Sequence, residues 1–63
     1  IALARLLVLA DLASSSSEAA RKIQQGGVKI NREKVSDPRA RVAAADLPIA
    51  IEVGRRAVRV ARL

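Results

Sequence analysis

Hydrophobic and polar positions predict two helices in the first half of the chain. Only Arg5 and Asp11 interrupt the apolar stretch 1–12, which is typical of a helix that is buried on more than one side. A serine-rich break follows at 13–17. Alanine and isoleucine then recur at positions 19, 20 and 23, a helical spacing. We expect the second helix to run from about Ser16 to Gln25 and to stop at Gly26 and Gly27.

The start of the second helix carries a capping-box pattern. Ser15 is followed three residues later by Glu18, a spacing that lets each side chain bind the other residue's backbone N–H. On the polar side of this helix, at three- and four-residue spacings, lie Glu18, Arg21, Lys22 and Gln25.

A first hairpin is predicted by the alternation in 28–30 and 34–35, with Asn31 and Arg32 as a two-residue turn. Like charges directly opposite each other destabilise a sheet, so an anionic partner over Lys29 and Lys34 would relieve their repulsion. The register that this turn implies pairs Val28 with Val35, Lys29 with Lys34, and Ile30 with Glu33.

A second hairpin is predicted after a connecting segment at 39–46 and the pair Leu47–Pro48. Its strands are 49–53 and 57–63, joined by a turn at Gly54 and Arg55. Pairing Ile49 with Val60 and Ile51 with Val58 puts the branched aliphatic side chains on one face. The other face then carries Ala50, Glu52 and Arg59, with Arg55 and Arg56 at the tip. The expected fold is α+β: two N-terminal helices on a small antiparallel sheet of two hairpins, forming a single domain over residues 1–63.

Charge and composition narrow the partners and exclude several kinds of site. Twelve Lys and Arg against six Asp and Glu give a net charge of +6, which favours a polyanion. The chain has no cysteine or histidine, which excludes disulfides and imidazole or thiolate metal sites. Aromatic residues are also absent, so bases cannot be stacked on rings. We therefore expect recognition of a folded RNA by its backbone and shape.

No catalytic constellation is found in the sequence. The serines lack a histidine base, the carboxylates are scattered, and the glycine pair precedes a strand rather than a helix. The apolar stretch 1–12 is shorter than the roughly 20 residues that span a bilayer. We therefore expect binding rather than catalysis, and no membrane or metal partner.

Candidate phosphate ligands lie on the second helix and the first hairpin. A helix N-terminus offers free N–H groups and a positive dipole end, and Ser16 and Ser17 add hydroxyls there. The cations on these two neighbouring elements are Arg21, Lys22, Lys29, Arg32 and Lys34.

The run LASSSSEAARKIQQGGVKIN at 12–31 resembles the signature of the S-four-type RNA-binding domain. Its continuation EKVSDP, with VGRR and VRV near the end, is similar to the variant at the carboxyl end of bacterial tyrosyl-tRNA synthetases. The resemblance implies a cytoplasmic, non-catalytic segment of a larger tyrosine–tRNA ligase. That segment would hold the anticodon stem and long variable arm of tyrosine tRNA. ATP and tyrosine would belong to the parent enzyme, and the segment itself would need no cofactor. The family's RNA-facing positions match Ser16, Ser17, Arg21, Lys22, Lys29, Asn31 and Lys34.

Two positions depart from the family pattern. Ala20 stands where a basic residue is usual, which removes one phosphate contact. Arg32 stands where glycine is usual, and a type I′ turn would strain it by about 1 kcal/mol. Either the turn type differs, or Arg32 offsets the strain by contacting RNA.

Other interpretations stay open at this level. The same domain type occurs in pseudouridine synthases, ribosome-associated factors and ribosomal proteins. A protein-interaction module that docks through its apolar first helix is the alternative of a different class.

Overall fold

The computed structural model describes residues 1–62 and contains two short helices followed by four strands. Helix α1 spans Leu3–Leu9 and helix α2 spans Ser16–Gln24. The strands are β1 (Val28–Ile30), β2 (Glu33–Lys34), β3 (Ile49–Val53) and β4 (Arg56–Val60), and a 3₁₀ turn at Ala44–Asp46 precedes β3. The α+β prediction is confirmed, with the strand order β2-β1-β3-β4 and every neighbouring pair antiparallel.

Both hairpin registers follow the predicted alternation. Lys29 pairs with Lys34 and Ile30 with Glu33, while the N–H of Val35 donates to the carbonyl of Val28 at 3.0 Å. In the second hairpin Ile49 pairs with Val60 and Ile51 with Val58. The aliphatic residues thereby face the helices, and the core includes Leu3, Leu7, Ile23, Val28 and Ile51, each fully buried.

Helix α1 is shorter than the predicted stretch 1–12. The chain leaves the helix at Asp11, whose φ of 61° is left-handed. The N–H of Leu12 donates to the carbonyl of Leu7 at 2.8 Å and that of Asp11 to Val8 at 3.1 Å, the Schellman pattern. An aspartate stands where glycine is usual, which explains why the apolar pattern did not reveal the end of the helix.

The first residues are extended rather than helical because they pair with a distant segment. Ala2 forms an antiparallel bridge with Arg41, and the backbone nitrogens of Ile1 and Leu3 donate to the carbonyls of Val42 and Ala40 at 3.0 and 2.9 Å. This pairing anchors the connecting segment, whose Val42 is buried in the core.

Strand β4 is also displaced from its prediction: it spans 56–60 rather than 57–63. Residue 63 lies outside the described residues. The two hairpins form one sheet because β1 pairs with β3, with Val28 opposite Val53, Lys29 opposite Glu52 and Ile30 opposite Ile51.

Candidate nucleic-acid interface

Helix α2 presents Arg21 to solvent because Ala19 and Ile23 face the core. Ala19 and Ile23 are fully buried. Ser17 and Arg21 are four residues apart and share the exposed side of the helix. Ala20 is half-buried beside them. Arg21 is thus held on a rigid element with its guanidinium available to a ligand.

Lys22 differs from Arg21 because it has a partner within the helix. Its Nζ lies 3.9 Å from a carboxylate oxygen of Glu18, one turn earlier. Both side chains are partly exposed, so this pair stabilises the helix only weakly and can open for a phosphate.

The predicted capping box forms only in part. The hydroxyl oxygen of Ser15 accepts a hydrogen bond from the N–H of Glu18 at 3.1 Å, as predicted. The carboxylate of Glu18, however, accepts from Ser14 instead: from its hydroxyl at 2.6 Å and from its backbone N–H at 3.4 Å. Ser16 and Ser17 are exposed in the first turn. A carboxylate in the same turn reduces the attraction of this helix end for an anion.

The Ser14 contacts predict a lowered pKa for Glu18. The Ser14 hydroxyl is the largest cause, followed by the Ser14 N–H and the charges of Lys22 and Arg21, and together they hold the pKa below its ordinary value of 4.5. The ionised form is therefore favoured by folding, and its contribution to stability is complete above pH 4.5 and is lost as the pH falls through the lowered pKa.

We expect Ser14→Ala to raise the pKa of Glu18 towards 4.5, as measured by NMR titration of its carboxyl carbon. Ser17→Ala is the control, because it removes a hydroxyl from the same helix turn without removing a bond to Glu18. Equal pKa values in the wild type and in Ser14→Ala would contradict the assignment.

The first hairpin places two lysines side by side on the face of the sheet turned away from the helices, called the outer face below. Lys29 and Lys34 are direct partners across β1 and β2, and both are exposed. On its other side Lys29 has Glu52 of β3 as partner. No Lys29 or Lys34 nitrogen lies within 4.0 Å of a carboxylate among residues 1–62. The repulsion between the two lysines is therefore only partly compensated within the domain.

Lys34 links the hairpin to the end of helix α2. Gly26 has a φ of 78°, and a Cβ added there would lie 3.3 Å from Cδ and 3.5 Å from Nζ of Lys34. The N–H of Gly26 donates to the carbonyl of Ile23 and that of Gly27 to Lys22, which closes the helix with a Schellman motif. The lysine stem thus packs over the helix end, where a cation is favourable.

The hairpin turn is left-handed, which decides between the two alternatives that the sequence left open. Asn31 and Arg32 have φ values of 51° and 70°, as a type I′ turn requires at both central positions. This removes the alternative of a different turn type for Arg32.

Asn31 is already engaged within the sheet. Its backbone N–H donates to the carbonyl of Ala50 at 2.8 Å, and its Oδ1 accepts from the N–H of Ala50 at 3.1 Å. The side-chain oxygen thereby acts as the acceptor that a continuing strand would have offered from its backbone. The amide NH₂ of Asn31 is left as the side-chain donor for an anionic ligand.

Arg32→Gly is expected to raise the free energy of unfolding by about 1 kcal/mol, because glycine adopts a positive φ without the steric cost that arginine bears. Denaturant titration followed by circular dichroism measures the change. Arg55→Gly serves as the control, since Arg55 lies in the other hairpin turn and has no positive φ. A decrease in stability for Arg32→Gly would contradict the turn geometry.

The positive charge of the domain is largely uncompensated. Within residues 1–62, Lys22–Glu18 is the only ion pair, although all twelve Lys and Arg lie in this range. Two other carboxylates are occupied by backbone: Asp37 accepts from the N–H of Arg39 and Asp46 from that of Ala43, each at 2.9 Å.

The predicted site residues fall into two groups. The hairpin residues and the end of α2 are brought together by the contact of Lys34 with Gly26. Ser16 and Ser17 lie at the opposite end of α2, about 13 Å away along a nine-residue helix. Arg21 lies between the two groups.

The structure also relocates Arg56, which was expected at the tip of the second hairpin. It pairs with Val53, whose side chain is buried, and it lines a hollow with Glu18 and Lys22. Residue alternation could have revealed this position. Arg56 is two residues before Val58 and four before Val60, so all three face the same side of β4.

Neither a metal-binding cluster nor a membrane-spanning helix is found in the described part of the chain. Residues 1–62 contain no group of three or more His, Cys, Asp or Glu side chains placed to hold an ion. The two helices over this range are too short to cross a bilayer.

Comparison with known proteins identifies the family. Residues 3–47 match the family model of the S4 domain. The chain is 52% identical over 56 residues to the tyrosine–tRNA ligase of Geobacter sulfurreducens, covering 89% of the chain and 14% of that relative. It is 44% identical over 63 residues to the enzyme of Legionella pneumophila, covering 100% of the chain and 15% of the relative. The chain therefore spans about one seventh of the length of these relatives, and it belongs to the S4 domain family.

Proposed function

We propose that this domain binds folded RNA through phosphate contacts and anchors tyrosine tRNA for a tyrosine–tRNA ligase. The observation that carries the proposal is the group of exposed cations on α2 and the first hairpin, two elements that Lys34 joins by packing over Gly26. Arg21 on α2, Lys29 and Lys34 on the first hairpin, and Arg32 at its tip all lack an ion-pair partner within residues 1–62. We call these four residues the cation cluster.

The elements that hold the cation cluster suit a polyanion. Lys29 and Lys34 are forced together by strand register, so a phosphate between them would remove a repulsion as well as add two attractions. Arg32 has a planar guanidinium that can bind a phosphate with two hydrogen bonds. Its strained φ of 70° is accounted for if the side chain serves binding.

Further contacts of the proposed interface are weaker. The ion pair between Lys22 and Glu18 must open before the Lys22 ammonium can bind a phosphate directly. Asn31 offers only its amide NH₂, because its oxygen accepts from Ala50. Ser16 and Ser17 contribute a separate contact near the start of α2, where the Glu18 carboxylate opposes an anion. The chain contains no aromatic residue, so contacts are to the backbone and shape of the RNA rather than to stacked bases.

The relatives supply the context for this binding. They are tyrosine–tRNA ligases, and the chain spans 13–15% of their length. We propose that the rest of a parent protein in the cytoplasm binds ATP and tyrosine. This domain binds the anticodon stem and the long variable arm of tyrosine tRNA. Holding a distant part of the tRNA orients its acceptor end, which lowers the entropic cost of the reaction.

A binding comparison tests the choice of RNA. We expect the 63-residue chain to bind tyrosine tRNA more tightly than the same tRNA with a shortened variable arm, and both more tightly than an unstructured RNA of equal length. Fluorescence anisotropy with end-labelled RNA measures the three affinities. Equal affinity for all three would contradict shape recognition and leave only non-specific attraction to polyanions.

A second proposed contact involves α1 and the rest of the parent polypeptide. Leu9 is 64% exposed, and it lines a groove with Leu6, Val58 and Val60. In the full-length protein we expect the uncharged substitution Leu9→Gln to increase the mobility of this domain in NMR relaxation, while the RNA affinity of the 63-residue chain stays unchanged. Unchanged mobility in the full-length variant would contradict the docking.

A further inference from the structure

Besides Lys29 and Lys34, the outer face of the sheet carries a third cation that is not part of the cation cluster. Strand β4 is the edge strand opposite β2, and its Arg59 pairs directly with Ala50 of β3. Ile49 and Ile51, the neighbours of Ala50, are buried, so Ala50 and Arg59 lie on the outer face. Arg59 therefore lies on the same face as Lys29 and Lys34, but at the opposite edge of the sheet.

We propose that bound RNA extends from the cation cluster across the outer face and that Arg59 is a further phosphate-binding residue. This inference rests on the proposed RNA-binding function and adds to it a surface and a residue. The two sites are separated by three strand spacings, about 14 Å from β2 to β4. One RNA segment lying across the strands can reach both.

Small side chains between the two cationic sites allow a close approach. Ala50 and Ala57 are exposed on the outer face of β3 and β4. Neither side chain rises far above the sheet, so neither blocks an RNA segment that passes between the two sites. No large apolar residue on this face requires a protein cover: the one exposed large hydrophobic residue of the described chain, Leu9, lies on α1.

Arg59 is available for this contact. It is exposed, and within residues 1–62 no carboxylate lies within 4.0 Å of its guanidinium. Glu52 lies on the same face of β3, but it pairs with Ala57, so Arg59 is a diagonal neighbour. Long side chains can span the roughly 7–8 Å between such neighbours, but the Arg59 guanidinium lies more than 4.0 Å from the Glu52 carboxylate.

Glu52 divides the positive surface into two parts. It is half-buried and stands between Lys29 on one side and Ala57 on the other. A phosphate directly over β3 would be repelled by this carboxylate. The RNA therefore contacts the two edges of the sheet more strongly than its centre. Phosphate contacts spaced in this way select the shape of the RNA rather than its base sequence.

The test compares Arg59→Gln, Lys29→Gln, Glu52→Gln and the control Arg5→Gln in tyrosine tRNA binding at several salt concentrations. Arg5 is an exposed cation on α1, which packs against the opposite face of the sheet. Losing one phosphate contact should reduce the log–log salt slope by about 0.7–0.9 and weaken binding about six-fold at 0.1 M salt. We expect this for Arg59→Gln, stronger binding for Glu52→Gln, and an unchanged slope for Arg5→Gln.

The outcomes separate this inference from the proposed function. If Lys29→Gln weakens binding but Arg59→Gln behaves like Arg5→Gln, the domain binds RNA and the extension across the outer face is wrong. If none of these lysine and arginine variants changes the affinity, the proposed function itself is contradicted. Circular dichroism spectra confirm that each variant is folded.

Discussion

Ile51→Ala is expected to destabilise the domain by about 2–5 kcal/mol, as removal of a buried aliphatic side chain does when its cavity cannot collapse. Ile51 is fully buried in β3, where it pairs with Ile30 on one side and Val58 on the other. A domain of 63 residues has a total stability of about 3–9 kcal/mol. The variant should therefore lose roughly half of the domain's stability, as measured by denaturant titration of the circular dichroism signal.

Leu9→Ala is the matched control for this prediction. It removes a similar volume from a leucine that is 64% exposed, so we expect a change below about 0.5 kcal/mol. Equal loss of stability in the two variants would contradict the assignment of Ile51 to the core.

The double variant Lys29→Gln, Lys34→Gln is expected to weaken tyrosine tRNA binding about 30-fold at 0.1 M salt. Two lost phosphate contacts should also reduce the log–log salt slope by about 1.4–1.8. Both lysines are exposed on the outer face, so the fold should remain intact. We expect the free energy of unfolding to rise by roughly a few tenths of a kcal/mol, because the like-charged pair is removed.

The control for this pair is Arg5→Gln, Arg41→Gln, which removes the same charge from a different surface. Arg5 lies on α1, and Arg41 bridges to Ala2 next to the start of that helix. We expect at most a small loss of affinity from the change in net charge. Equal losses in the two double variants would show that total charge, rather than the cation cluster, determines binding.

Residue alternation was sufficient to predict the sheet within each hairpin. A one-residue slip would have turned Ile49, Ile51 and Val53 to solvent, so burial specified the register. The same argument placed Lys29 beside Lys34 and Arg59 on the outer face. Local turn chemistry predicted the position of the turn at Asn31 and Arg32, and the structure showed that both residues are left-handed.

Non-local contacts were not predictable from local patterns. The bridge between Ala2 and Arg41 joins segments far apart in the chain, and no periodicity marks it. The pairing of β1 with β3, which unites the hairpins, leaves no local pattern either. Helix α1 ends through a left-handed Asp11, a residue type that only occasionally takes this role.

The candidate site was likewise predictable only where local sequence patterns determine it. Its cations were placed correctly on α2 and the first hairpin because charge and spacing are visible in the sequence. The bond from Ser14 to Glu18 and the use of the Asn31 oxygen by Ala50 were missed, because each depends on exact backbone geometry. These contacts determine which polar atoms remain free for the proposed RNA contacts.

The most direct test of the phosphate-contact account is the salt dependence of tyrosine tRNA binding to the unmodified chain. Four contacts from the cation cluster predict a log–log slope of about −3, and the added contact at Arg59 makes it steeper, near −4. A slope close to zero would contradict phosphate contacts as the basis of binding.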